Sequence, residues 1–207
     1  WHVPLVDHFA HWSRARKDGA NLRELTTDGC HPNPAGHLIL AATMLPVLER
    51  ALGPELAVRR KLDRADHPVR VVCFGDSVTG VYYHTGSRRA YTDMLKIALE
   101  RACPRARVEA INAGISGNTT ADGLKRIEKD VLAHRPDVVT VMFGLNDMTR
   151  VPIAAYRQNL LTIVEKCQAI GAEVILATPN NVIATARRPI ARLVEYCDAV
   201  RRVGREL

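Results

Sequence analysis

A serine, a histidine and an aspartate in this chain have the types and spacing that acyl transfer uses. Ser77 directly follows an apolar stretch and the pair Gly75-Asp76, while Asp28 and His31 stand three residues apart in a segment rich in turn formers. A serine hydroxyl is a weak nucleophile at neutral pH and needs a base to accept its proton. Histidine suits that task, and a carboxylate partner fixes its tautomer and stabilises the imidazolium. A turn can place the side chains of Asp28 and His31 on one side, so this set is suited to nucleophilic attack on an acyl carbon.

Acyl transfer also needs hydrogen-bond donors for the oxyanion that develops on the substrate. The backbone N–H of Ser77, the backbone N–H of Gly114 and the side-chain amide of Asn146 are candidate donors, and a glycine at 114 lets the backbone approach a substrate closely. Each residue alone has a simpler explanation: Gly114 permits a turn, Asn146 caps a helix, and Asp28 starts a loop. Their presence together in one chain favours the catalytic interpretation.

The elements that must position these residues follow a regular pattern from residue 69 onward. Five of the six residues 69–74 are apolar, which is typical of a strand buried on both faces of a parallel sheet. Further strands are predicted over 108–112, 137–143 and 173–177, alternating with helices over 91–103, 121–134, 153–170 and 188–205. This alternation predicts a doubly wound parallel sheet with helices on both faces, in which the loops after successive strands converge on one crevice.

The first third of the chain has a different composition. Residues 3–6 predict a short fifth strand, residues 8–17 a turn or two of helix, and the turn-rich loop 27–37 leads into an apolar helix over 38–52. Residues 55–67 are dominated by charged side chains with few apolar anchors, which predicts a linker or an exposed helix.

Four segments together resemble the sequence blocks of the SGNH hydrolases, also called GDSL esterases/lipases. The segments are Gly75-Asp76-Ser77, Gly114, Gly144-Leu145-Asn146-Asp147 and Asp28-Gly29-Cys30-His31-Pro32-Asn33. The resemblance spans nearly the whole chain. It implies an α/β fold: a three-layer α/β/α sandwich around a flavodoxin-like, parallel five-stranded sheet. It further implies Ser77 as nucleophile, His31 as base, Asp28 as its orienting acid, and Ser77, Gly114 and Asn146 as oxyanion donors.

The order of the blocks departs from the family, in which the Asp-x-x-His block comes last. We therefore expect a circularly permuted single domain over 1–207, in which 1–53 corresponds to the family's C-terminal part, 54–67 is a linker and 68–207 corresponds to its N-terminal part. A rival explanation is a piece of a tandem protein, whose triad would form between chains or not at all. The length of one complete domain and the clean joint between 200–207 and 1–7 favour the permutant.

Further residues are predicted around the catalytic set. Asp76, Thr79, Asn118 and Tyr82 are candidates for the substrate crevice, with Asp76 and Asp147 expected to hold loop backbones rather than to react. Tyr82, Tyr83 and His84 could form one wall of the acyl or alcohol pocket or simply a packed loop. His37 is a competing histidine, but His31 stands at the position the family motif gives to the base.

Composition and charge indicate which kinds of binding partner are not expected. The net charge is +7, but the basic residues are scattered and aromatics make up only 5%, so no nucleic-acid partner is expected. No apolar run is long enough to span a bilayer, so no membrane partner is expected either.

The five cysteines form no C-x-x-C pair, and their odd number argues against a disulfide framework. This favours a reducing, cytoplasmic location, with a secreted or periplasmic protein that has lost its signal peptide as the alternative.

The predicted function is a serine ester hydrolase that needs no metal or organic cofactor. With three Phe, two Trp and no long apolar lid segment, small acyl esters are favoured over long lipid chains. Within the family this suggests a carbohydrate acetyl ester as the small-molecule substrate, and the oligomeric state is left open. The alternatives are a thioesterase, a lysophospholipase, acyl transfer to an alcohol, and a non-catalytic carbohydrate-binding module on the same fold. A nucleotide-binding protein is disfavoured because the glycines match neither a P-loop nor a dinucleotide fingerprint.

Overall fold

The fold is a five-stranded parallel sheet with helices on both faces. The computed structural model describes residues 3–51, 57–80 and 82–207, without the side chains of 48–51, 57, 59, 82 and 83. The strands are Leu5–Val6 (β1), Val69–Gly75 (β2), Val108–Gly114 (β3), Val138–Met142 (β4) and Glu173–Ala177 (β5). They lie in the order β1-β5-β4-β2-β3, and every neighbouring pair is parallel.

The helices alternate with the strands from β2 onward, as the sequence predicts. They are His8–Lys17 (α1), Leu22–Leu25 (α2), Pro34–Ala51 (α3), Ala57–Arg64 (α4), Ser77–Gly80 (α5), Tyr91–Ala102 (α6), Thr120–Asp130 (α7), Asp147–Arg150 (α8), Ile153–Ala169 (α9) and Ile190–Glu206 (α10), with 3₁₀ turns at Tyr82–Thr85 and Leu132–His134. Helices α1, α3 and α6 pack together on one side of the sheet, and α7, α9 and α10 pack together on the other. None of the helices in the described part of the chain is long and apolar enough to cross a membrane.

The strand order matches the flavodoxin-like arrangement once the counting starts at β2. With β1 taken as the fifth strand, the spatial order becomes 2-1-3-4-5, the order of flavodoxin-like sheets. The end of α10 lies against the start of the chain, because a Cβ atom at Gly204 would be 3.7 Å from both Leu5 Cβ and the Val3 carbonyl oxygen. The first strand thus occupies the place that a strand following α10 would take.

The register of the central strands brings three loops to one edge of the sheet. Gly75 at the end of β2 pairs with Gly114 of β3 and with Met142 of β4. These three strands therefore end at the same level, and the segments that follow them begin side by side. The predicted convergence of the loops is confirmed.

Segment 55–67 is more ordered than its composition suggests. Residues 52–56 lie outside the described residues, but α4 forms over Ala57–Arg64 and buries Val58 and Leu62. These two apolar residues are four positions apart, so they lie on one face of a single helical turn. Lys61 also forms an ion pair with Asp137, so part of the predicted linker is a packed helix.

Candidate active site

The sheet edge places Ser77 at a sharp turn. A Cβ atom at Gly75 would lie 2.2 Å from Thr79 Oγ1 and 2.5 Å from the Met142 carbonyl oxygen, so only glycine fits where β2 ends. Asp76 then accepts a hydrogen bond from the Val78 N–H at 2.9 Å, which holds the turn that starts α5. Ser77 is 8% exposed at the first position of α5, so it lies at the surface of the crevice.

The histidine and the aspartate lie against this serine. His31 Nε2 is 2.9 Å from Ser77 Oγ, and His31 Nδ1 is 2.7 Å from Asp28 Oδ2. Asp28 Oδ1 accepts hydrogen bonds from the backbone N–H groups of Cys30 and His31 at 3.0 and 2.8 Å. Although partial burial raises the pKa of Asp28, hydrogen bonds from His31 and Cys30 lower it to about 2. The carboxylate is therefore ionised at neutral pH and can hold a proton on Nδ1, which leaves Nε2 to accept the serine proton.

The loop that carries Asp28 and His31 is held by the segment after β5. Asn180 Nδ2 donates to the Cys30 carbonyl at 3.0 Å, and the Ile183 N–H donates to the Gly29 carbonyl at 2.7 Å. Gly29 has φ +82°, and a Cβ there would be 3.2 Å from Ile183 Cβ. The position therefore requires glycine both for its backbone conformation and for the packing of Ile183.

A second imidazole covers the base. The rings of His31 and His84 are stacked, with centroids 3.9 Å apart and planes 3° from parallel. The Thr27 hydroxyl donates to the His84 carbonyl oxygen at 3.2 Å, which ties the His84 turn to the loop of the base. Burial and the neighbouring His31 lower the pKa of His84. His84 thus forms a wall of the crevice, while the side chains of Tyr82 and Tyr83 lie outside the described residues.

The amide of Asn146 faces the nucleophile turn. Its Nδ2 donates to the Asn118 carbonyl at 3.0 Å and, at 3.4 Å, to Asp76 Oδ2. Asp76 is almost fully buried, and burial raises its pKa to about 7. The long contact to Asp76 leaves one amide hydrogen of Asn146 weakly engaged, so it can be redirected to a substrate oxygen.

Gly114 differs from its predicted role in one respect. Its N–H already donates to Asn112 Oδ1 at 3.0 Å, and its backbone is pressed against Gly80, whose N would be 2.3 Å from a Cβ at 114. The glycine is needed for this backbone contact between β3 and α5. Within the described part of the chain, the backbone N–H groups of Ser77 and Gly117 make no hydrogen bond, and Gly117 has φ +76°.

The predicted crevice residues fall into two groups. Thr79 is fully buried, and its hydroxyl accepts a hydrogen bond from the Tyr91 hydroxyl at 3.4 Å, so the expectation that it contacts substrate is wrong. Its side chain points below α5 into the core because Gly75 leaves room for it there. Asp76 is likewise buried and holds the turn instead of lining the crevice. Asn118 is partly exposed, with its carbonyl toward Asn146 and its side chain bound to Arg126.

Arg126 of α7 connects the two loops on the nucleophile side. It donates to the Gly75 carbonyl at 3.0 Å, to the Ala113 carbonyl at 2.8 Å and to Asn118 Oδ1 at 2.7 Å. Its guanidinium also lies 4.7 Å from the centroid of the Phe74 ring. Arg126 is not predicted from the sequence because two of its partners are backbone carbonyls, which leave no trace in the pattern of side chains.

Two further residues, Asp147 and His37, stabilise the fold and do not contact the nucleophile. Asp147 is buried, and its Oδ1 accepts hydrogen bonds from the N–H and the hydroxyl of Thr120 at 2.8 and 2.6 Å, so it holds the start of α7. His37 lies buried between α3 and α6, where its Nδ1 accepts the Tyr91 N–H at 3.2 Å. Burial lowers the pKa of His37 to about 4, and the residue does not contact Ser77.

The described residues offer one cluster with metal-ligand chemistry. Single ligand atoms of Asp28, His31 and His84 lie within 4.8 Å of one another. The parallel stacking of the two rings directs their in-plane lone pairs along parallel planes rather than toward a shared point, and Asp28 is already bonded to His31. This geometry suits a catalytic hydrogen-bond relay better than a metal centre. All five cysteines are buried and free.

Comparisons with known proteins point to one family. The family model described as the GDSL-like Lipase/Acylhydrolase family matches residues 73–207. Among curated proteins, the "Uncharacterized lipoprotein YqeF" of Bacillus subtilis is 34% identical over 124 residues, covering 55% of this chain and 49% of that protein. The "Acetylxylan esterase" of Geobacillus stearothermophilus is 30% identical over 120 residues, covering 52% of this chain and 55% of that protein.

A solved structure supports the same relationship. The lipase/acylhydrolase from Enterococcus faecalis aligns with a TM-score of 0.53 and 32% identity, covering 66% of this chain and 71% of that one. The chain spans about half the length of the curated relatives it matches. The family match includes Ser77, Gly114 and Asn146, whereas Asp28 and His31 lie before its first residue.

Proposed function

The chain belongs to the GDSL-like lipase/acylhydrolase family, and we propose that it is a serine ester hydrolase acting through an acyl-enzyme. The observation that carries the proposal is the unbroken hydrogen-bond chain from Ser77 Oγ through His31 to Asp28. Esterase-named relatives agree with it.

In the proposed mechanism, Ser77 Oγ attacks the ester carbonyl carbon while His31 Nε2 takes the serine proton. Asp28 holds Nδ1–H and stabilises the imidazolium. His31 then gives the proton to the departing alcohol oxygen, and the acyl group stays on Ser77. Water attacks this acyl-enzyme with His31 again as base, which releases the carboxylic acid and restores the serine.

The proposed oxyanion donors are the Ser77 N–H, the Asn146 side-chain amide and a backbone N–H of the loop after β3. The prediction for this last donor was Gly114. Because the Gly114 N–H already donates to Asn112 Oδ1, we propose that the Gly117 N–H is the third oxyanion donor. Gly114 would serve as the donor only if its bond to Asn112 opened. In support, Gly117 directly precedes Asn118, whose carbonyl binds the Asn146 amide. The Arg150 guanidinium, which donates to the Gly117 carbonyl, would fix this loop.

We further propose that the substrate carries a small acyl group, with carbohydrate acetyl esters as the leading class. The acetylxylan esterase of Geobacillus stearothermophilus supports this by its name. The stacked His31 and His84 rings occupy space beside the nucleophile. We propose that they limit the room for the acyl group, which favours a short acyl chain. Asn118 and Tyr82 remain the proposed contacts to the rest of the substrate.

The domain arrangement is proposed to be a circular permutant. The pairing of β1 beside β5, the flavodoxin-like order and the contact of α10 with residues 3 and 5 support it. A permuted enzyme completes its triad within one chain, whereas a tandem fragment would need a second copy. Sedimentation with simultaneous activity measurement tests this: activity in the monomer fraction supports the permutant, and activity confined to larger species contradicts it.

The test of the function is hydrolysis of 4-nitrophenyl esters from acetate to decanoate, with Ser77→Ala as the control. We expect kcat/KM to be highest for acetate, to fall with chain length, and to vanish for every ester in Ser77→Ala. Wild-type turnover equal to that of Ser77→Ala would overturn the hydrolase proposal and favour a binding module. Higher kcat/KM for decanoate would overturn the small-acyl proposal while the hydrolase proposal stands.

A further inference from the structure

A basic groove lies between α8 and the start of α10. It has a volume of about 450 Å³ and is lined by Arg187, Arg188 and Arg192, with Met148 and Thr149 on the opposite side. No carboxylate forms an ion pair with any of the three arginines within the described part of the chain. The groove thus has an excess of positive charge that the protein itself does not neutralise.

Arg188 is the arginine that the fold holds in place. Thr185 and Arg188 form a tight turn, in which the Arg188 N–H donates to the Thr185 carbonyl at 3.0 Å and to its hydroxyl at 3.1 Å. The Arg188 side chain is partly buried, and its Nε is a buried donor without a hydrogen-bond partner. A buried donor left unpaired costs stability, so this guanidinium gains from an acceptor that binds in the groove.

The same loop supports the catalytic base. Ile183, five residues before Arg188, bonds to Gly29 in the loop that carries Asp28 and His31. The positive charge of Arg188 lowers the pKa of Asp76, the neighbour of Ser77, and of Cys30, the neighbour of His31, although burial raises the pKa of both overall. The segment that carries Arg188 therefore borders the catalytic loop through the Ile183–Gly29 hydrogen bond.

We propose that Arg188 binds an anionic group, a carboxylate or a phosphate, on the alcohol part of the ester substrate. A guanidinium offers paired donors that match either group, and Arg187 and Arg192 add attraction at the rim. The small acyl group lies at Ser77, so the charged group belongs to the leaving alcohol. This inference rests on the proposed esterase function and adds the substrate's charge to it.

The test compares two acetyl esters of matched size: 4-acetoxybenzoate, which is anionic, and 4-acetoxybenzamide, which is neutral. The measured quantity is the ratio of their kcat/KM values in wild type, in Arg188→Gln and in Arg101→Gln, an exposed arginine on α6 that serves as the control. We expect wild type to prefer the anion, and Arg188→Gln to lower the ratio about tenfold, as loss of a charge-assisted hydrogen bond implies. Arg101→Gln should leave the ratio unchanged, and added salt should lower it in wild type.

The outcomes separate this inference from the function it rests on. Turnover of both esters with the same ratio in wild type and Arg188→Gln overturns the anion site and leaves the esterase standing. Turnover of neither ester overturns the esterase proposal itself. A third ester, 4-acetoxyphenyl phosphate, carries a phosphate in place of the carboxylate. The anionic ester whose kcat/KM, relative to the neutral ester, falls more in Arg188→Gln carries the group that the site binds.

Discussion

The two sides of the crevice are built in different ways. Ser77 stands at the end of a central strand, and Arg126 fixes the backbone on both sides of it through the Gly75 and Ala113 carbonyls. Asp28 and His31 stand in a loop without regular structure, and the Asp28 side chain is 46% exposed. A few long-range hydrogen bonds, from Asn180 and Ile183, hold that loop in place.

The nucleophile side therefore depends on the sheet, whereas the acid–base side depends on a few hydrogen bonds to its loop. Changes to the first should lower activity and stability together. Changes to the second should lower activity far more than stability, because an exposed loop contributes few buried contacts.

The largest effect on activity is expected from Asp28→Asn. Asparagine keeps the shape but cannot hold a proton on Nδ1 in the same way, so kcat for 4-nitrophenyl acetate should fall about 10⁴-fold. The control is Asp18→Asn, at the exposed end of α1. A loss of less than tenfold with unchanged folding would contradict Asp28 as the partner of the base.

Arg126→Met should affect both activity and stability. It removes one donor each from the Gly75 carbonyl, the Ala113 carbonyl and Asn118 and breaks the ion pair with Asp130, so the free energy of unfolding should fall by about 2 kcal/mol. A small displacement of the nucleophile turn should also lower kcat about 100-fold. The neighbouring Lys125→Met, at a side chain that is 76% exposed, is the matched control for urea unfolding and kinetics. A stable Arg126→Met variant with full activity would show that Arg126 does not fix the nucleophile turn.

His84→Ala removes the ring stacked on His31 and should lower kcat by about threefold to tenfold, with little change in urea midpoint. His84→Phe keeps an aromatic ring and should restore most of the lost activity. If the alanine variant is unaffected, or if phenylalanine fails to rescue it, the stacking does not position the base.

The smallest effect is on stability as a function of pH. The pKa of Asp28 in the folded protein is about 2, below its ordinary value of 3.8, so its interactions stabilise the fold above about pH 4. That stabilisation should disappear as the pH falls from about 4 to about 2. The difference in unfolding free energy between wild type and Asp28→Asn should therefore be present at pH 6 and shrink at pH 2, whereas a constant difference would contradict the assignment.

Most of the sheet could be predicted from the sequence because its strands are continuous apolar runs separated by amphipathic helices. The short helices α5 and α8 were missed because four residues carry no periodicity. The register, which places Gly75 against Gly114 and Met142, depends on tertiary packing that no local pattern encodes.

The residues of the site likewise divide into those that the sequence predicts and those that depend on tertiary packing. Ser77, His31, Asp28 and Asn146 were predicted because their side chains carry recognisable chemistry, and the structure brings them together. Thr79 was misplaced because a residue two positions after the nucleophile turns inward when its helix begins. Arg126 and the stacking of His84 on His31 depend on partners distant in the chain, so no residue spacing predicts them.

Fluorophosphonate labelling followed by intact-mass measurement tests most directly whether one chain completes the triad. The samples are wild type, Ser77→Ala, His31→Ala, and an equimolar mixture of the two variants. We expect one adduct on wild type, none on Ser77→Ala, and slow labelling of His31→Ala that mixing does not accelerate. Rapid labelling of the His31→Ala chain in the mixture would contradict this expectation, because the base would then come from a second copy.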